Sequence, residues 1–237
     1  MEYSVVIPVF NEAENVRPLA DEVRTALDGV DNYEIVFVDD GSTDDSMRRL
    51  LRLRDADPRI RVIAHERNAG QSAALATGVA AARGGWVVTL DGDGQNDPAD
   101  IPRLIAERER SAADLVAGWR RRRHDTWLKR VSSRVANGVR RRVLGDDCPD
   151  TGCGLKLFRR SIFLALPHFD HMHRFLPALF RQAGAGVATV PVNHRARRAG
   201  RSKYGLGNRL WVGIVDLFGV LWLRHRRLSV GHHEVRP

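Results

Sequence analysis

Two carboxylates and one amide follow directly on an apolar run that ends at Leu90. They are Asp91, Asp93 and Gln95, in the segment Leu90-Asp91-Gly92-Asp93-Gly94-Gln95. Mg²⁺ and Mn²⁺ prefer oxygen ligands and usually keep open positions that phosphate oxygens fill. The segment therefore predicts a loop that holds a divalent cation together with a diphosphate.

The same acidic segment could instead be a calcium-binding loop or a helix cap. A calcium-binding EF-hand loop starting at Asp91 needs glycine at its sixth position and glutamate at its twelfth, but Asn96 and Pro102 stand there. The EF-hand is therefore excluded. An acidic turn before a helix, capped by Asp97 or Asp100, stays open because proline is common in a first helical turn.

Apolar runs alternate with helical patterns along the first half of the chain, as expected for βα units on a mostly parallel sheet. The predicted strands are Ser4–Val9, Tyr33–Val38, Ile60–Ala64, Trp86–Leu90 and Asp114–Gly118. The predicted helices are Glu12–Leu27, Asp44–Leu53 and Gln71–Ala82. Ligands of such folds bind at the carboxyl ends of the strands, where both acidic loops, 39–44 and 91–95, begin. The sequence therefore predicts an α/β nucleotide-binding fold.

Two common phosphate-binding motifs are missing from the sequence. The first βα turn, Pro8-Val9-Phe10-Asn11-Glu12, lacks the Gly-x-Gly-x-x-Gly pattern that lets a backbone approach a pyrophosphate. The P-loop pattern Gly-x-x-x-x-Gly-Lys does not occur either. A dinucleotide oxidoreductase is therefore disfavoured, and a bound phosphate would need a metal ion and arginines.

The formal charge of +9 is divided unevenly along the chain. Residues 1–118 carry 22 acidic and 13 basic side chains, whereas residues 119–237 carry 7 acidic and 25 basic ones, which gives charges of −9 and +18. The second half is expected to face an anionic partner: nucleic acid, a membrane surface or a phosphorylated substrate. No nucleic-acid-binding signature accompanies the arginines, so we expect no nucleic acid partner.

After residue 119 the regular βα pattern gives way to shorter elements. The predicted ones are a basic amphipathic helix at Trp127–Leu144, strands at Leu155–Phe158 and Val187–Val192, and helical pieces near Ser161–Leu166 and Arg174–Gln182. A loop, Asn193–Gly207, is predicted to follow the last of these strands.

The apolar run Trp211–Leu223 has three interpretations. As a helix it spans roughly 20 Å, less than the ~30 Å hydrocarbon core, and Asp216 interrupts it, so we expect it not to cross a bilayer. Its aromatic residues and flanking arginines suit a helix lying in the interface of an anionic membrane. Packing on the sheet as a core helix, or docking on a membrane partner protein, are the alternatives.

The chain is long enough to form one α/β domain with an appendage. We expect a catalytic domain over residues 1–210, an amphipathic helix over 211–225 and a tail over 226–237. The chain has only two cysteines, Cys148 and Cys153, and no signal-peptide pattern precedes Val5. These features predict reduced thiols and a cytoplasmic location, peripheral on the inner face of the cell membrane.

Four segments in this order resemble the family-2 glycosyltransferases of GT-A fold, and within them the polyprenyl-phosphate and dolichyl-phosphate sugar synthases. The segments are Ser4-Val5-Val6-Ile7-Pro8-Val9-Phe10-Asn11-Glu12, Val38-Asp39-Asp40-Gly41-Ser42-Thr43-Asp44, Leu90-Asp91-Gly92-Asp93-Gly94-Gln95 and Arg197-Arg198-Ala199-Gly200-Arg201-Ser202-Lys203-Tyr204. The stretch from Asp150 to Arg160 is similar to the undecaprenyl-phosphate aminoarabinose-type transferases. Many family members carry transmembrane helices after the catalytic domain.

The resemblance implies a role for individual residues. The nucleotide-binding residues would be Pro8, Phe10, Glu12, Val38, Asp40, Asp91, Gly92 and Asp93. Asp93 and Gln95 would hold Mg²⁺ or Mn²⁺, with Asp91 touching donor or metal. The donor diphosphate would be met by Arg120, Arg197 and Lys203. The acceptor phosphate would be bound by Lys129, Ser133 and Arg134.

The resemblance also implies an inverting transfer of a sugar from a nucleoside diphosphate sugar to a polyprenyl phosphate. Negative charge then grows on the departing diphosphate, where a divalent ion, Arg and Lys stabilise it. The attacking lipid phosphate is already ionised at neutral pH, so it needs no strong base. The alternative is transfer to a hydroxyl of a glycan or glycolipid, in which Asp150 would act as the base. With a lipid phosphate acceptor, Asp150 is expected to orient Lys156 or Arg134.

Overall fold

The computed structural model describes residues 1–120, 145, 147–196 and 209–226. The strands in this part of the chain are β1 Tyr3–Val9, β2 Tyr33–Asp39, β3 Ile60–Ala64, β4 Trp86–Thr89, β5 Leu115–Arg120, β6 Lys156–Arg159 and β7 Val187–Val192. The α-helices are α1 Ala13–Ala26, α2 Ser46–Ala56, α3 Gln71–Ala81, α4 Ile101–Ser111, α5 Arg160–Leu164, α6 Leu176–Gln182 and α7 Arg209–Arg226. Two short 3₁₀ turns lie at Pro98–Asp100 and Met172–Arg174.

The strands form one mixed sheet in the order β3-β2-β1-β4-β6-β5-β7. Strands β1 to β4 are parallel, β6 is antiparallel to both of its neighbours, and β7 is parallel to β5. Strands β1 and β2 are almost entirely buried because helices cover both faces of the sheet. Apolar residues of α1, α2 and α4 pack on one face, and those of α3, α5, α6 and α7 pack on the other.

The position of β1 explains where a ligand can enter. The chain builds β2 and β3 on one side of β1 and then places β4 on the other side. In an open α/β sheet, such a reversal of strand order leaves a crevice at the carboxyl ends of the strands. The loops after β1, β2 and β4 meet at this crevice, and two of them are the acidic loops.

The structure shows the predicted α/β fold with a mostly parallel sheet. All seven predicted strands occur, and Ile60–Ala64 and Val187–Val192 have the predicted bounds. Helix α4 was not predicted, because Pro102 and the acidic turn before it obscure a short apolar pattern at Ile101, Leu104 and Ile105. The predicted basic helix Trp127–Leu144 lies outside the described residues.

Helix α7 contains the apolar run Trp211–Leu223 and has two different faces. Val220 is fully buried in the core, and Leu217 and Leu221 pack against the same cluster. Val215, Phe218 and Trp222 have exposed fractions of 66%, 65% and 61%. One face of α7 therefore packs on the domain, as a core helix would, and the other presents an apolar stripe. In the part of the chain that the structure describes, no helix combines the length and the apolarity that a membrane crossing requires.

Candidate functional site

A pocket opens at the carboxyl ends of β1, β2 and β4, where the sheet topology places a ligand site. Its walls come from the turn after β1, the ends of β2 and β4, and the loop between β3 and α3. The lining residues are Pro8, Val9, Phe10, Glu12, Asp40, Asn68, Gly70, Gln71, Asp91, Gly92 and Asp93. Parallel strands thus bring together side chains that are far apart in the sequence.

Asp91 and Asp93 lie side by side on the pocket wall formed by the loop after β4. Asp91 Oδ1 accepts a hydrogen bond of 2.7 Å from Gln71 Nε2, and the Asp91 backbone N–H donates to Asn96 Oδ1. Asp93 Oδ1 accepts a hydrogen bond of 3.1 Å from the backbone N–H of Gln95. Burial, and then the charge of Asp93, raise the pKa of Asp91 to about 6. The loop therefore holds two mutually repelling carboxylates in the lining of one pocket.

Glycines let the loop after β4 approach its neighbours closely. A Cβ on Gly92 would come within 2.6 Å of the Pro8 carbonyl oxygen, and a Cβ on Gly154 would overlap the Asp91 carboxylate. Neither position has room for a side chain. The close packing fixes the distance between the turn after β1 and the two carboxylates.

Asp40 organises the opposite wall of the pocket. Its carboxylate oxygens accept hydrogen bonds of 2.9 Å from the backbone N–H groups of Ala69 and Gly70. Its Oδ1 also lies 2.7 Å from His65 Nδ1, and its carbonyl oxygen accepts a hydrogen bond from Asn68 Nδ2. Asp40 is buried, so these bonds meet its need for partners and hold the loop between β3 and α3 in place.

Arg120 and Asp150 form a largely buried ion pair, and Arg120 lies close enough to Asp91 for their charges to interact. Arg120 Nε donates to Asp150 Oδ2 at 2.6 Å, and its Nη2 donates to Asp150 Oδ1 at 2.9 Å. Asp150 therefore orients Arg120, and the expected partner Arg134 lies outside the described residues. The Lys156 ammonium is buried and donates to the Cys153 carbonyl oxygen.

The structure brings most of the predicted nucleotide-binding residues into one pocket, namely Pro8, Phe10, Glu12, Asp40, Asp91, Gly92 and Asp93. Val38 is placed elsewhere: it is fully buried in the core under α3, with Cγ2 3.0 Å from where a Cβ of Gly78 would lie. Strand alternation explains the difference, because Val38 faces α3 while the pocket begins at the strand end. The predicted residues Lys129, Ser133, Arg134, Arg197 and Lys203 lie outside the described residues.

Gln95 lies on the loop after β4 but not in the pocket lining. Its backbone N–H donates to Asp93, and its carbonyl oxygen accepts a hydrogen bond from the Arg195 backbone N–H. The sequence also left open that Asp97 or Asp100 caps a helix. Asp97 does cap a 3₁₀ turn, because its Oδ1 accepts a hydrogen bond from the Ala99 N–H at the start of that turn. The segment therefore combines a pocket wall at Asp91 and Asp93 with a cap a few residues later.

Sequence reasoning missed three polar or glycine residues of the pocket: Asn68, Gly70 and Gln71. They follow β3, which is a strand of the same parallel group as β1, β2 and β4. The loop after β3 carries no carboxylate beyond Glu66 to draw attention to it. The rule that ligands bind at the carboxyl ends of parallel strands would have found these residues, because it applies to every such loop.

The side chains at the pocket fit a divalent cation whose remaining ligands come from a diphosphate. Two adjacent carboxylates, one of them with a raised pKa, are the arrangement that a cation neutralises. Within the described ranges no group of three or more His, Cys, Asp or Glu side chains is arranged to hold a metal ion. A cation at Asp91 and Asp93 would thus depend on phosphate oxygens for its other ligands.

Comparison with known proteins decides the family. Residues 4–166 match the model of glycosyl transferase family 2. This chain belongs to glycosyl transferase family 2. It is 37% identical over 237 residues to a dodecaprenyl-phosphate galacturonate synthase of Rhizobium johnstonii, in a match that covers 98% of this chain and 70% of the relative. It is 40% identical over 206 residues to an undecaprenyl-phosphate 4-deoxy-4-formamido-L-arabinose transferase of Edwardsiella ictaluri, in a match that covers 86% of this chain and 63% of the relative.

Solved structures support the fold of this glycosyltransferase family member. Glucosyl-3-phosphoglycerate synthase of Mycobacterium tuberculosis, in complex with Mn²⁺, UDP-glucose and glycerol 3-phosphate, superposes with a TM-score of 0.69 at 23% identity. The match covers 94% of this chain and 79% of that protein. The same enzyme with Mn²⁺, UDP and its product gives a TM-score of 0.70. At this identity the similarity shows a shared fold.

Proposed function

We propose that this protein is an inverting glycosyltransferase that moves a sugar from a nucleoside diphosphate sugar to a polyprenyl phosphate. The observation that carries the proposal is the pocket at the ends of β1, β2 and β4. It joins two carboxylates, Asp91 and Asp93, to a recess ordered by Asp40. The relatives from Rhizobium and Edwardsiella, which match 98% and 86% of this chain, are named for transfer onto dodecaprenyl and undecaprenyl phosphate.

On the donor side, the recess lined by Pro8, Phe10 and Asp40 is assigned to the nucleoside. Asp91 and Asp93 face the diphosphate and would hold Mg²⁺ or Mn²⁺. When bound, such an ion stabilises the negative charge that grows on the departing diphosphate. The Mn²⁺ and UDP-glucose of the structurally similar synthase support this choice.

Cations of the chain itself supply further charge for the leaving group. Arg120 is held rigidly by Asp150, so its guanidinium needs little ordering when a diphosphate arrives. The resemblance assigns Arg197 and Lys203 to the same diphosphate. We assign Lys129, Ser133 and Arg134 to the acceptor phosphate on the same ground.

On the acceptor side, an oxygen of the lipid phosphate attacks the sugar carbon that carries the diphosphate. This oxygen is ionised at neutral pH, since the second pKa of a phosphate monoester is near 6. A general base is then unnecessary. The ion pair of Asp150 with Arg120 supports this acceptor over a hydroxyl, because both oxygens of Asp150 are already hydrogen bonded.

The exposed face of α7 is the proposed contact with the membrane that carries the acceptor. Val215, Phe218 and Trp222 form one stripe on this helix. The strongly basic second half of the chain suits an anionic leaflet, where each nearby basic residue adds on the order of 1 kcal/mol. We therefore place the protein on the cytoplasmic face of a membrane, held peripherally.

The proposal is tested by incubating the protein with undecaprenyl phosphate, Mn²⁺ and a panel of nucleotide sugars. The panel covers uronic acids, formamidopentoses and neutral hexoses on UDP, GDP and dTDP. We expect one donor to give a lipid-linked sugar that disappears when a chelator replaces Mn²⁺. If no donor of the panel yields a lipid-linked product, the proposed acceptor is wrong.

A further inference from the structure

Asp91 is held on two sides by groups that sequence reasoning did not assign to the site. On one side, the Nε2 of Gln71 donates a hydrogen bond of 2.7 Å to Asp91 Oδ1. On the other, Gly154 packs so closely that a Cβ there would overlap Asp91 Oδ2. The carboxylate therefore lies between a donor that fixes one oxygen and a backbone that limits the movement of the other.

Gln71 is suited to holding the Asp91 carboxylate because its amide is uncharged. A Lys or Arg at this position would neutralise Asp91 and compete with a cation for it. An amide N–H fixes the direction of the carboxylate and leaves its negative charge in place. Gln71 also lines the donor pocket together with Asp91, so its side chain borders the place where the diphosphate would lie.

The fold fixes the backbone at Gln71. Gln71 is the first residue of α3 and follows Gly70, whose φ of +92° turns the chain into the helix. The next residue, Ser72, is buried and its Oγ lies 2.7 Å from Nδ1 of His173 in the turn before α6. This hydrogen bond ties the first turn of α3 to a second element. The backbone that carries the Gln71 side chain is therefore held in place.

We infer that Gln71 is a positioning residue, which holds Asp91 in the direction that faces the cation and the donor diphosphate. This inference rests on the proposed function, because it concerns how that site is kept in order. Partners that orient the ligands of a metal site commonly change metal affinity or activity by about tenfold to a hundredfold when they are replaced. An effect of this size is expected for Gln71.

The test compares binding of nucleoside diphosphates in Mn²⁺ and in EDTA by isothermal titration calorimetry. The probe is whichever of UDP, GDP and dTDP the wild-type protein binds most tightly. Gln71→Met keeps the length of the side chain and removes the donor, and Gln71→Glu replaces the donor by an acceptor. Gly154→Ala displaces Asp91 from the other side. Ala73→Ser is the matched control, since it changes the same helical turn and leaves the hydrogen bonds of Gln71 and Ser72 in place.

We expect Mn²⁺ to tighten binding to the wild-type protein and to Ala73→Ser. For Gln71→Met and Gly154→Ala the affinity in Mn²⁺ falls by about tenfold to a hundredfold, and for Gln71→Glu it falls further. The affinity in EDTA and the melting temperature without ligand stay close to the wild-type values for Gln71→Met. The loss is then specific to the cation-dependent step and does not reflect unfolding.

Three outcomes overturn the inference, and they separate it from the proposed function. If Gln71→Met keeps the full gain from Mn²⁺, Gln71 does not position Asp91, and the proposed function is unaffected. Equal losses in Mn²⁺ and EDTA would make Gln71 part of the nucleoside recess instead. If the wild-type protein itself gains nothing from Mn²⁺, the proposed role of the cation fails and the inference fails with it.

Discussion

Among the single residues, Asp150 orients the positive charge of Arg120 before a ligand binds. Both side chains are largely buried, and two hydrogen bonds of 2.6 and 2.9 Å join them. The pair ties the end of β5 to the segment before β6. Because Asp150 uses both oxygens for Arg120, its contribution to activity is expected to come from orienting that guanidinium.

Replacing Asp150 by Asn tests this orienting role. Removing one partner of a buried ion pair leaves an uncompensated charge, so we expect the free energy of unfolding of Asp150→Asn to fall by about 3 kcal/mol. Turnover is expected to decrease but to remain measurable, since no proton transfer to Asp150 is required. Urea unfolding and a steady-state assay measure the two effects. Complete loss of turnover in a variant of wild-type stability and donor affinity would identify Asp150 as a general base.

The sequence could predict the acidic residues of the pocket because they directly follow strands. Once β2 and β4 are recognised as parallel neighbours of β1, Asp40, Asp91 and Asp93 have to meet at one edge of the sheet. Gln71 could not be assigned in this way. Its bond to Asp91 depends on how far the loop between β3 and α3 folds over the sheet edge, and this distance is a property of the tertiary structure.

At the scale of elements, the turn that carries His173 links α3 to the helices behind it. Burial, together with the positive charges of Lys156 and Arg174, lowers the pKa of His173 well below its usual range. The native protein therefore holds a neutral imidazole at Ser72. An unfolded chain takes up a proton on this histidine below about pH 6.5, so acid favours unfolding.

We predict that His173→Asn weakens this dependence on pH. Between pH 7.5 and 5, the free energy of unfolding of the wild-type protein is expected to fall by up to about 1.4 kcal/mol per pH unit below pH 6.5 through His173 alone. Urea unfolding of the wild-type protein and of His173→Asn at both pH values measures the difference. Exposed His168 provides the control, since His168→Asn should keep the wild-type slope. Equal slopes for all three proteins would contradict the prediction.

We predict that the exposed apolar stripe of α7 contributes to membrane binding. Burying a large apolar side chain contributes about 1.5–3 kcal/mol, so the double variant Phe218→Glu, Trp222→Glu should bind phosphatidylglycerol vesicles more than tenfold more weakly. Co-sedimentation with vesicles measures the affinity. Leu164→Glu is the matched control, because Leu164 is a partly exposed apolar residue on another helix. Unchanged binding of the double variant would move the membrane contact to another surface.

Elements with a long, regular pattern could be predicted from the sequence, whereas α4 and the two faces of α7 could not. Helix α4 has only a short apolar pattern beginning at Ile101, and two prolines precede or enter it. In α7 apolar residues lie on both faces, so the pattern alone cannot say which face the core covers. Packing against the other helices of that layer decides it.

Across the whole molecule, an acidic and a basic half of the chain contribute to the same proposed reaction. The half of the chain up to residue 118 has a formal charge of −9 and contributes the carboxylates of the pocket, while the half from residue 119 has a charge of +18. Holding two anionic substrates in line requires cations from the chain and from a metal ion. The division of charge was visible in the sequence, but the pairing of Arg120 with Asp150 was not.

In the proposed function, Asp93 holds a divalent cation that neutralises a departing diphosphate. The most direct measurement is Mn²⁺ binding, followed by electron paramagnetic resonance, with the best-bound of UDP, GDP and dTDP present. The wild-type protein and Asp97→Ala, whose acidic side chain lies on the same loop but pairs with Arg195, should bind one Mn²⁺ per chain. Asp93→Ala should lose this binding. Undiminished Mn²⁺ binding by Asp93→Ala would show that Asp93 does not hold the cation.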